Sequence, residues 1–267
     1  MQLDELRRKK CFLLDMDGTI YLSNNLIEGA KDFIELLRNS KRDFYFFTNN
    51  SSKSSTDYVS KLSKLGIDIS EEKVITSGEV TIDYILKKKN NPLVYLLGTP
   101  SLERQFLEKG IRLSKDKDDD IDFVVLAFDT SLEYKKLWDA HDLILRGVSY
   151  LATNPDYVCP LAGGKSMPDC GSMISLLKTS TGGKEPLVIG KPNTLMIDYV
   201  IEKTGMDKED FTMMGDRLYT DIQTAINAGI SNVLVLSGES TKEDLNMADQ
   251  EPDLVIDSVK DLLEVLN

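Results

Sequence analysis

Lys10-Cys11-Phe12-Leu13-Leu14-Asp15-Met16-Asp17-Gly18-Thr19 is the stretch whose reading decides the fold. Lys10–Asp15 has the length and apolar density of a β-strand, and it runs straight into two carboxylates and a glycine. An unbroken apolar run marks a strand buried on both faces, as in parallel sheets. In open α/β sheets ligands bind at the carboxyl ends of the strands, so Asp15 and Asp17 stand where chemistry is expected. Alternation points both the same way if the strand direction persists. Composition leaves a catalytic pair and a calcium loop as alternatives; Thr19 stands against the second, which needs Asp or Asn at that position.

Outward from this strand, short apolar runs alternate with helix-length amphipathic stretches. Residues 29–39 read as a helix, 43–48 as a strand and 54–65 as a helix closed by Gly66. Further strand-like runs lie at 93–97, 123–128, 149–152, 187–189, 211–214 and 232–236. The pattern predicts an α/β protein with a Rossmann-like, doubly wound, mainly parallel sheet. Two breaks in composition, 87–92 and 180–186, bracket a segment with its own βαβα pattern, which predicts an inserted α/β domain. The acidic run 116–122 reads as a solvated loop.

The composition narrows the function. Of 267 residues, 41% are apolar and 28% charged, enough apolar side chain for a folded core. The net charge of −12 disfavours broad contact with nucleic acid or anionic lipid. The basic cluster Arg7–Lys10 precedes an apolar run that stops at Asp15, too short for a leader, and no run approaches the roughly 18 residues a membrane helix needs. The expectation is a cytoplasmic protein with neither a membrane nor a nucleic-acid partner. Cys11, Cys159 and Cys170 are too few and scattered for a disulfide framework, and a lone histidine, His141, excludes any site needing two.

Three other predicted strand ends carry polar groups. Gly215-Asp216-Arg217-Leu218-Tyr219-Thr220-Asp221 supplies a second acidic cluster. If Asp216 converges with Asp15 and Asp17, the carboxylates repel one another unless a cation joins them, and an oxygen-only ligand set suits Mg²⁺. Thr48-Asn49-Asn50-Ser51-Ser52 offers hydroxyl, amide and backbone N–H donors for a phosphate, and Gly190-Lys191-Pro192 offers an ammonium. Taken singly, the first reads equally as a helix cap and the second as a surface lysine before a turn.

In this order and spacing the four pieces resemble the motifs of the haloacid dehalogenase superfamily of aspartate-nucleophile phosphatases. Thr-Asn-Asn-Ser at 48–51, Ile-Gly-Lys-Pro at 189–192 and Gly-Asp-Arg-Leu-Tyr-Thr-Asp-Ile at 215–222 resemble the NagD-like and para-nitrophenyl-phosphatase-like subgroup. The resemblance implies a core formed by residues 1–78 and 185–267, with an inserted cap domain over 79–184 hinged near Ser77-Gly78 and Gly182-Gly183. It implies a Mg²⁺-dependent hydrolase of small phosphorylated metabolites working through an aspartyl-phosphate. Asp15 is then the nucleophile and Asp17 the general acid and base. Asp15, Asp17 (through its carbonyl) and Asp216 are the metal ligands, with Asp221 an anchor behind them or a ligand through water. Gly18, Thr48, Asn49 and Lys191 grip the phosphate. Where the family usually has Pro-Gly-x-Gly, this chain has Pro168-Asp169-Cys170-Gly171, which places a carboxylate at that point of the cap.

Asn154, Asp169 and His141 are the cap residues expected to meet the substrate's alcohol part, Asn154 because Ala152-Thr153-Asn154-Pro155-Asp156 resembles a family segment. The alternative reading is a non-catalytic binder of a phosphate ligand on the same fold, which is expected to lack one of the core residues that are all present. A P-loop is disfavoured because Gly164-Lys165-Ser166 has Cys159 where its first glycine belongs. Nucleotides, sugar phosphates, pyridoxal phosphate and glycerol or glycolate phosphates stay open as substrates, as do monomer and homodimer.

Overall fold

The computed structural model describes residues 3–161 and 164–266. The chain divides into two compact units, one of Met1–Thr48, Thr56–Ile75 and Lys191–Asn267, the other of Asn49–Ser55 and Thr76–Gly190. The second unit thus begins at Thr76 rather than Glu79, runs to Gly190 rather than Lys184, and takes in the 49–55 segment that the sequence assigns to the first.

The first unit is built on a six-stranded sheet in the order Leu254–Ile256, Ser231–Val235, Phe211–Gly215, Cys11–Asp15, Asp43–Thr48 and Val74–Thr76. Cys11–Asp15 pairs in parallel with Asp43–Thr48 on one side and Phe211–Gly215 on the other. The strand order reverses at this first strand, which makes the sheet doubly wound, as the apolar runs predict. The helix Ala30–Asn39 buries Ala30, Phe33, Ile34 and Leu37, the i, i+3, i+4, i+7 stripe of an amphipathic helix. Phe33 meets Phe12 edge to face at 6.2 Å between ring centroids.

The second unit has a five-stranded parallel sheet in the order Leu187–Val188, Ser149–Ala152, Phe123–Leu126, Leu93–Leu97 and Arg112–Ser114. Alternation divides its side chains between two apolar layers. Val94 and Leu96 pack with Ile85, Leu102 and Phe106. Tyr95 and Leu97 pack with Leu143, Cys170 and Leu177. An antiparallel hairpin, Val158–Leu161 with Lys165–Pro168, completes the unit.

One expectation is corrected. Ser77 and Gly78 are not an irregular stretch: both are buried in the first turn of the helix Ser77–Lys88, just after the Ile75–Thr76 boundary between the units. Thr76 caps that helix by accepting from the Glu79 N–H at 3.1 Å. A capped, buried turn has its backbone groups satisfied and its φ/ψ fixed. The 87–92 break is likewise the end of this helix and a turn inside the second unit, not a linker between units.

Candidate active site

Leu14 lies opposite Met214, so the strands ending at Asp15 and Gly215 stop side by side, at the point where the strand order reverses. One carboxylate oxygen each from Asp15, Asp216 and Asp221 lie within 4.8 Å of one another, all three residues buried. The Lys191 ammonium joins two of them, with Nζ 2.6 Å from Asp15 Oδ1 and 2.5 Å from Asp221 Oδ1. The other Asp221 oxygen accepts from the Arg217 N–H at 3.1 Å. Asp216 Oδ2 accepts from the Glu239 N–H at 2.6 Å, whereas its Oδ1 is buried without a partner among the described residues. A buried carboxylate oxygen left unpaired is costly, and this one borders the carboxylate cluster.

Two glycines make room for Asp216. A Cβ on Gly18, whose φ is +93°, would stand 2.2 Å from Asp216 Oδ2, and one on Gly238 would stand 2.0 Å from the same atom. The loop bearing Gly18 is closed by its N–H donating to Tyr21 O at 2.8 Å.

Burial dominates the electrostatics. It raises the Asp15 carboxyl well above its ordinary value, Lys191 pulling it down and Asp221 and Asp216 pushing it further up. Asp216 is raised to about 7 by burial and then by Asp221. For Lys191 burial works downward, but Asp15 and Asp221 outweigh it and leave the ammonium raised. Asp17 has solvent access, yet the protein crowded around it raises its carboxyl, against the pull of Lys61 and Arg217. Like charges so confined are the condition that a bound cation relieves. Asp15 and Asp216 offer oxygen ligands only, one of them an Asp216 oxygen without a partner among the described residues, and that is the donor chemistry Mg²⁺ takes.

Asp15, Asp216, Asp221 and Lys191 come together, whereas the sequence expects Asp17 in the carboxylate cluster and the structure leaves its side chain exposed; Gly18 packs on Asp216. Thr48 ends its strand and is buried. Asn49 is buried in the second unit, where its side-chain amide donates to Asp156 Oδ2 at 3.1 Å. The three expected cap contacts do not form one group. Asn154 is fully buried, its Nδ2 donating to Asn49 O at 3.0 Å. Asp169 is buried and caps the helix Cys170–Ser180 through the Cys170 N–H. His141 pairs with Ser180 Oγ at 3.1 Å, in an open groove with Trp138 and Leu176. Their polar atoms hold the chain.

Sequence reading missed the 237–240 loop, which supplies Gly238, the Glu239 N–H and a Ser237 hydroxyl donating to Gly18 O at 2.7 Å. Its local signal is only a Ser-Gly turn. It also missed Lys61, whose ammonium stands 3.6 Å over the Tyr21 ring. Helical spacing makes Lys61 one of several surface lysines.

Family models described as haloacid dehalogenase-like hydrolase and HAD-hydrolase-like match residues 12–112 and 188–262. An acid sugar phosphatase of Staphylococcus haemolyticus is 36% identical over 247 residues, 92% of each chain. The structure of a 4-nitrophenylphosphatase from Thermotoga maritima superposes with a TM-score of 0.94 at 43% identity, over 98% of this chain and 99% of that one. A glycerol phosphate phosphatase from Mycobacterium tuberculosis, in complex with magnesium, gives 0.87 at 27% identity, over 97% of this chain and 77% of that one.

Proposed function

This chain belongs to the haloacid dehalogenase-like hydrolases and is a phosphatase, and on that premise we propose that it is a Mg²⁺-dependent sugar-phosphate hydrolase that works through an aspartyl-phosphate on Asp15. The observation that carries the proposal is the Lys191-bridged carboxylate cluster at the end of the first strand, with Asp216 Oδ1 left unpartnered beside it.

Asp15 attacks phosphorus in line with the leaving oxygen; the Asp15 O–P bond forms as the P–O bond to the alcohol breaks. Asp17, whose carboxyl is raised by crowding, gives its proton to the departing alkoxide. Then, as a carboxylate, it takes a proton from the water that attacks phosphorus, and the bond from phosphorus to Asp15 breaks. Inorganic phosphate and the free enzyme result. Lys191 and the Thr48 hydroxyl hold phosphoryl oxygens, helped by the main-chain amide of Asn49; the Gly18 N–H, which the sequence assigns to the phosphate, is taken by Tyr21 O. Asp221, with one oxygen on Lys191 and the other on the Arg217 N–H, orients the lysine and does not need to reach the ion. Asp15, the Asp17 carbonyl and Asp216 would hold Mg²⁺, which supplies neutralisation of the phosphoryl charge.

Sugar phosphates are the substrate class because relatives of similar length are acid sugar phosphatases. Among the described residues no helix is long and apolar enough to cross a membrane, and a cytoplasmic place suits a hydrolase of small metabolites. A panel of hexose, pentose, glycerol and nucleoside monophosphates with Mg²⁺ tests the reading. Sugar phosphates are expected to give the highest kcat/KM. Asp15→Asn should lose about three orders of magnitude or more in kcat. A variant keeping a tenth of the activity would remove Asp15 from the mechanism.

A further inference from the structure

Asn49 is held from two sides by one turn of the second unit. Asn154 Nδ2 donates to the Asn49 main-chain carbonyl at 3.0 Å, and Asp156 Oδ2 accepts from the Asn49 side-chain amide at 3.1 Å. Asn154 Oδ1 also accepts from the Asp156 N–H at 3.0 Å, which closes the three residues into a ring of hydrogen bonds. Ser77 Oγ adds a second donor to Asn49 O at 2.7 Å. The members are buried, so these bonds are not traded with water.

Gly190 packs against the same cluster. Its N–H donates to Thr153 O at 2.9 Å, and a Cβ there would stand 2.4 Å from that oxygen and 2.6 Å from Asn49 Oδ1. Thr48 precedes Asn49 in the chain and Lys191 follows Gly190. The turn at 153–156 therefore grips both residues that adjoin the phosphate-holding side chains.

We propose that Asn154 and Asp156 are positioning residues that fix the Thr48–Asn49 peptide for the phosphoryl group, acting through Asn49 and touching no part of the substrate's alcohol. The proposal rests on the phosphate-binding role given above to Thr48 and Asn49. Thr48 is held by its strand, and fixing the carbonyl and the side chain of Asn49 holds the Cα that carries its N–H, so the Thr48–Asn49 peptide is held at both ends. A loosened donor loses a contact common to every phosphate ester, and misplacement by about an ångström costs up to ~10²-fold in rate. A residue that instead contacted the alcohol would change discrimination among esters.

The test uses the full chain with saturating Mg²⁺, comparing Asn154→Ala, Asp156→Ala and Asp156→Asn on glucose 6-phosphate, glycerol phosphate and 4-nitrophenyl phosphate. Each Ala variant is expected to lower kcat/KM on the order of ten- to a hundred-fold, by a common factor for all three esters, and to weaken competitive inhibition by inorganic phosphate. Inhibition by phosphate does not depend on how much of the sample is folded, so simple destabilisation would leave it unchanged. Asp156→Asn retains an acceptor and should recover most of the loss. In an Asn49→Ala background, Asp156→Ala should cost little more, since its partner is gone. If Asn154→Ala does not fold, Asp156→Asn and this double-mutant cycle decide. Unequal factors among the esters, unchanged phosphate inhibition or additivity in the cycle would overturn the proposal. Failure of the underlying reading is separate: it appears as Thr48→Val leaving kcat/KM untouched.

Discussion

Lys191 is clasped by Asp221, Nζ to Oδ1 at 2.5 Å, with both side chains almost wholly removed from water. The pair is stable because a second carboxylate, Asp15, shares the ammonium at 2.6 Å. Taking the cation away would strand two buried carboxylates, and removing one partner of a buried pair costs about 3–5 kcal/mol. Lys191→Met should therefore unfold at markedly lower urea concentration at neutral pH, with part of the loss recovered on acidification as Asp15, already raised by burial, protonates. Phosphatase activity should fall by at least about 10²-fold, since the same ammonium is proposed to hold a phosphoryl oxygen. Denaturation midpoints equal to those of the unsubstituted protein would refute the first half and steady-state kinetics the second.

Asp216 makes stability depend on pH in the metal-free protein. Burial first, and Asp221 second, raise its carboxyl from 3.8 to about 7. A raised acid favours the folded state while it is protonated. Its contribution is full below the unfolded value and is lost as pH rises through the folded one. In chelator, the stability of the unsubstituted protein minus that of Asp216→Asn should fall by up to about 4 kcal/mol between roughly pH 4 and pH 7. Added Mg²⁺ should restore stability at the upper end, by about 2.7 kcal/mol at a hundred times its Kd. A difference that stays flat across this range contradicts the assignment.

Gly18 carries no chemistry of its own, yet the site depends on its missing side chain. Gly18→Ala places a Cβ 2.2 Å from Asp216 Oδ2 at a φ of +93°. The left-handed backbone alone costs an alanine about 1–2 kcal/mol, and the contact must be relieved by moving Asp216. The expected result is a folded protein with weakened Mg²⁺ binding and kcat reduced on the order of a hundred-fold. Calorimetric titration with Mg²⁺ checks the first effect; an unchanged affinity would mean that Asp216 is not a ligand.

Much of this site is legible in the sequence because its parts stand at strand ends, and buried parallel strands are continuous apolar runs. Cys11–Asp15, Asp43–Thr48 and Phe211–Gly215 can each be found that way. Val74–Thr76 escapes because three residues make no periodicity, and the following Ser77-Gly78 looks like a break. The Thr76-x-x-Glu79 spacing, a capping signature, is the signal that recovers that helix. What no local pattern supplies is partnership across the chain. Glu239 reaches Asp216 only because the sheet places side by side the strands that lead into their two loops, Phe211–Gly215 and Ser231–Val235. Nothing local in the sequence announces that the Asn154 amide donates to Asn49 O, more than a hundred residues away.

Asp169 and His141 are the remaining test of how the cap is read. Asp169 accepts from the Cys170 N–H at 2.5 Å and starts a helix whose first turn buries Cys170, Gly171 and Met173. Removing an N-cap costs about 1 kcal/mol, up to ~2 in a protein host, so Asp169→Ala should lower the melting temperature by a few degrees. Asp169→Ser keeps an acceptor and should recover most of it. His141 gives up one hydrogen bond, to Ser180, in a partly solvated groove, so His141→Ala should cost no more than about 1 kcal/mol. Both side chains already have hydrogen-bond partners within the second unit, Cys170 for Asp169 and Ser180 for His141. The ratios of kcat/KM among glucose 6-phosphate, glycerol phosphate and 4-nitrophenyl phosphate should therefore stay within about two-fold of those of the unsubstituted enzyme, under 0.5 kcal/mol of discrimination. A larger change in those ratios with an unchanged melting temperature would return the residue concerned to the substrate pocket.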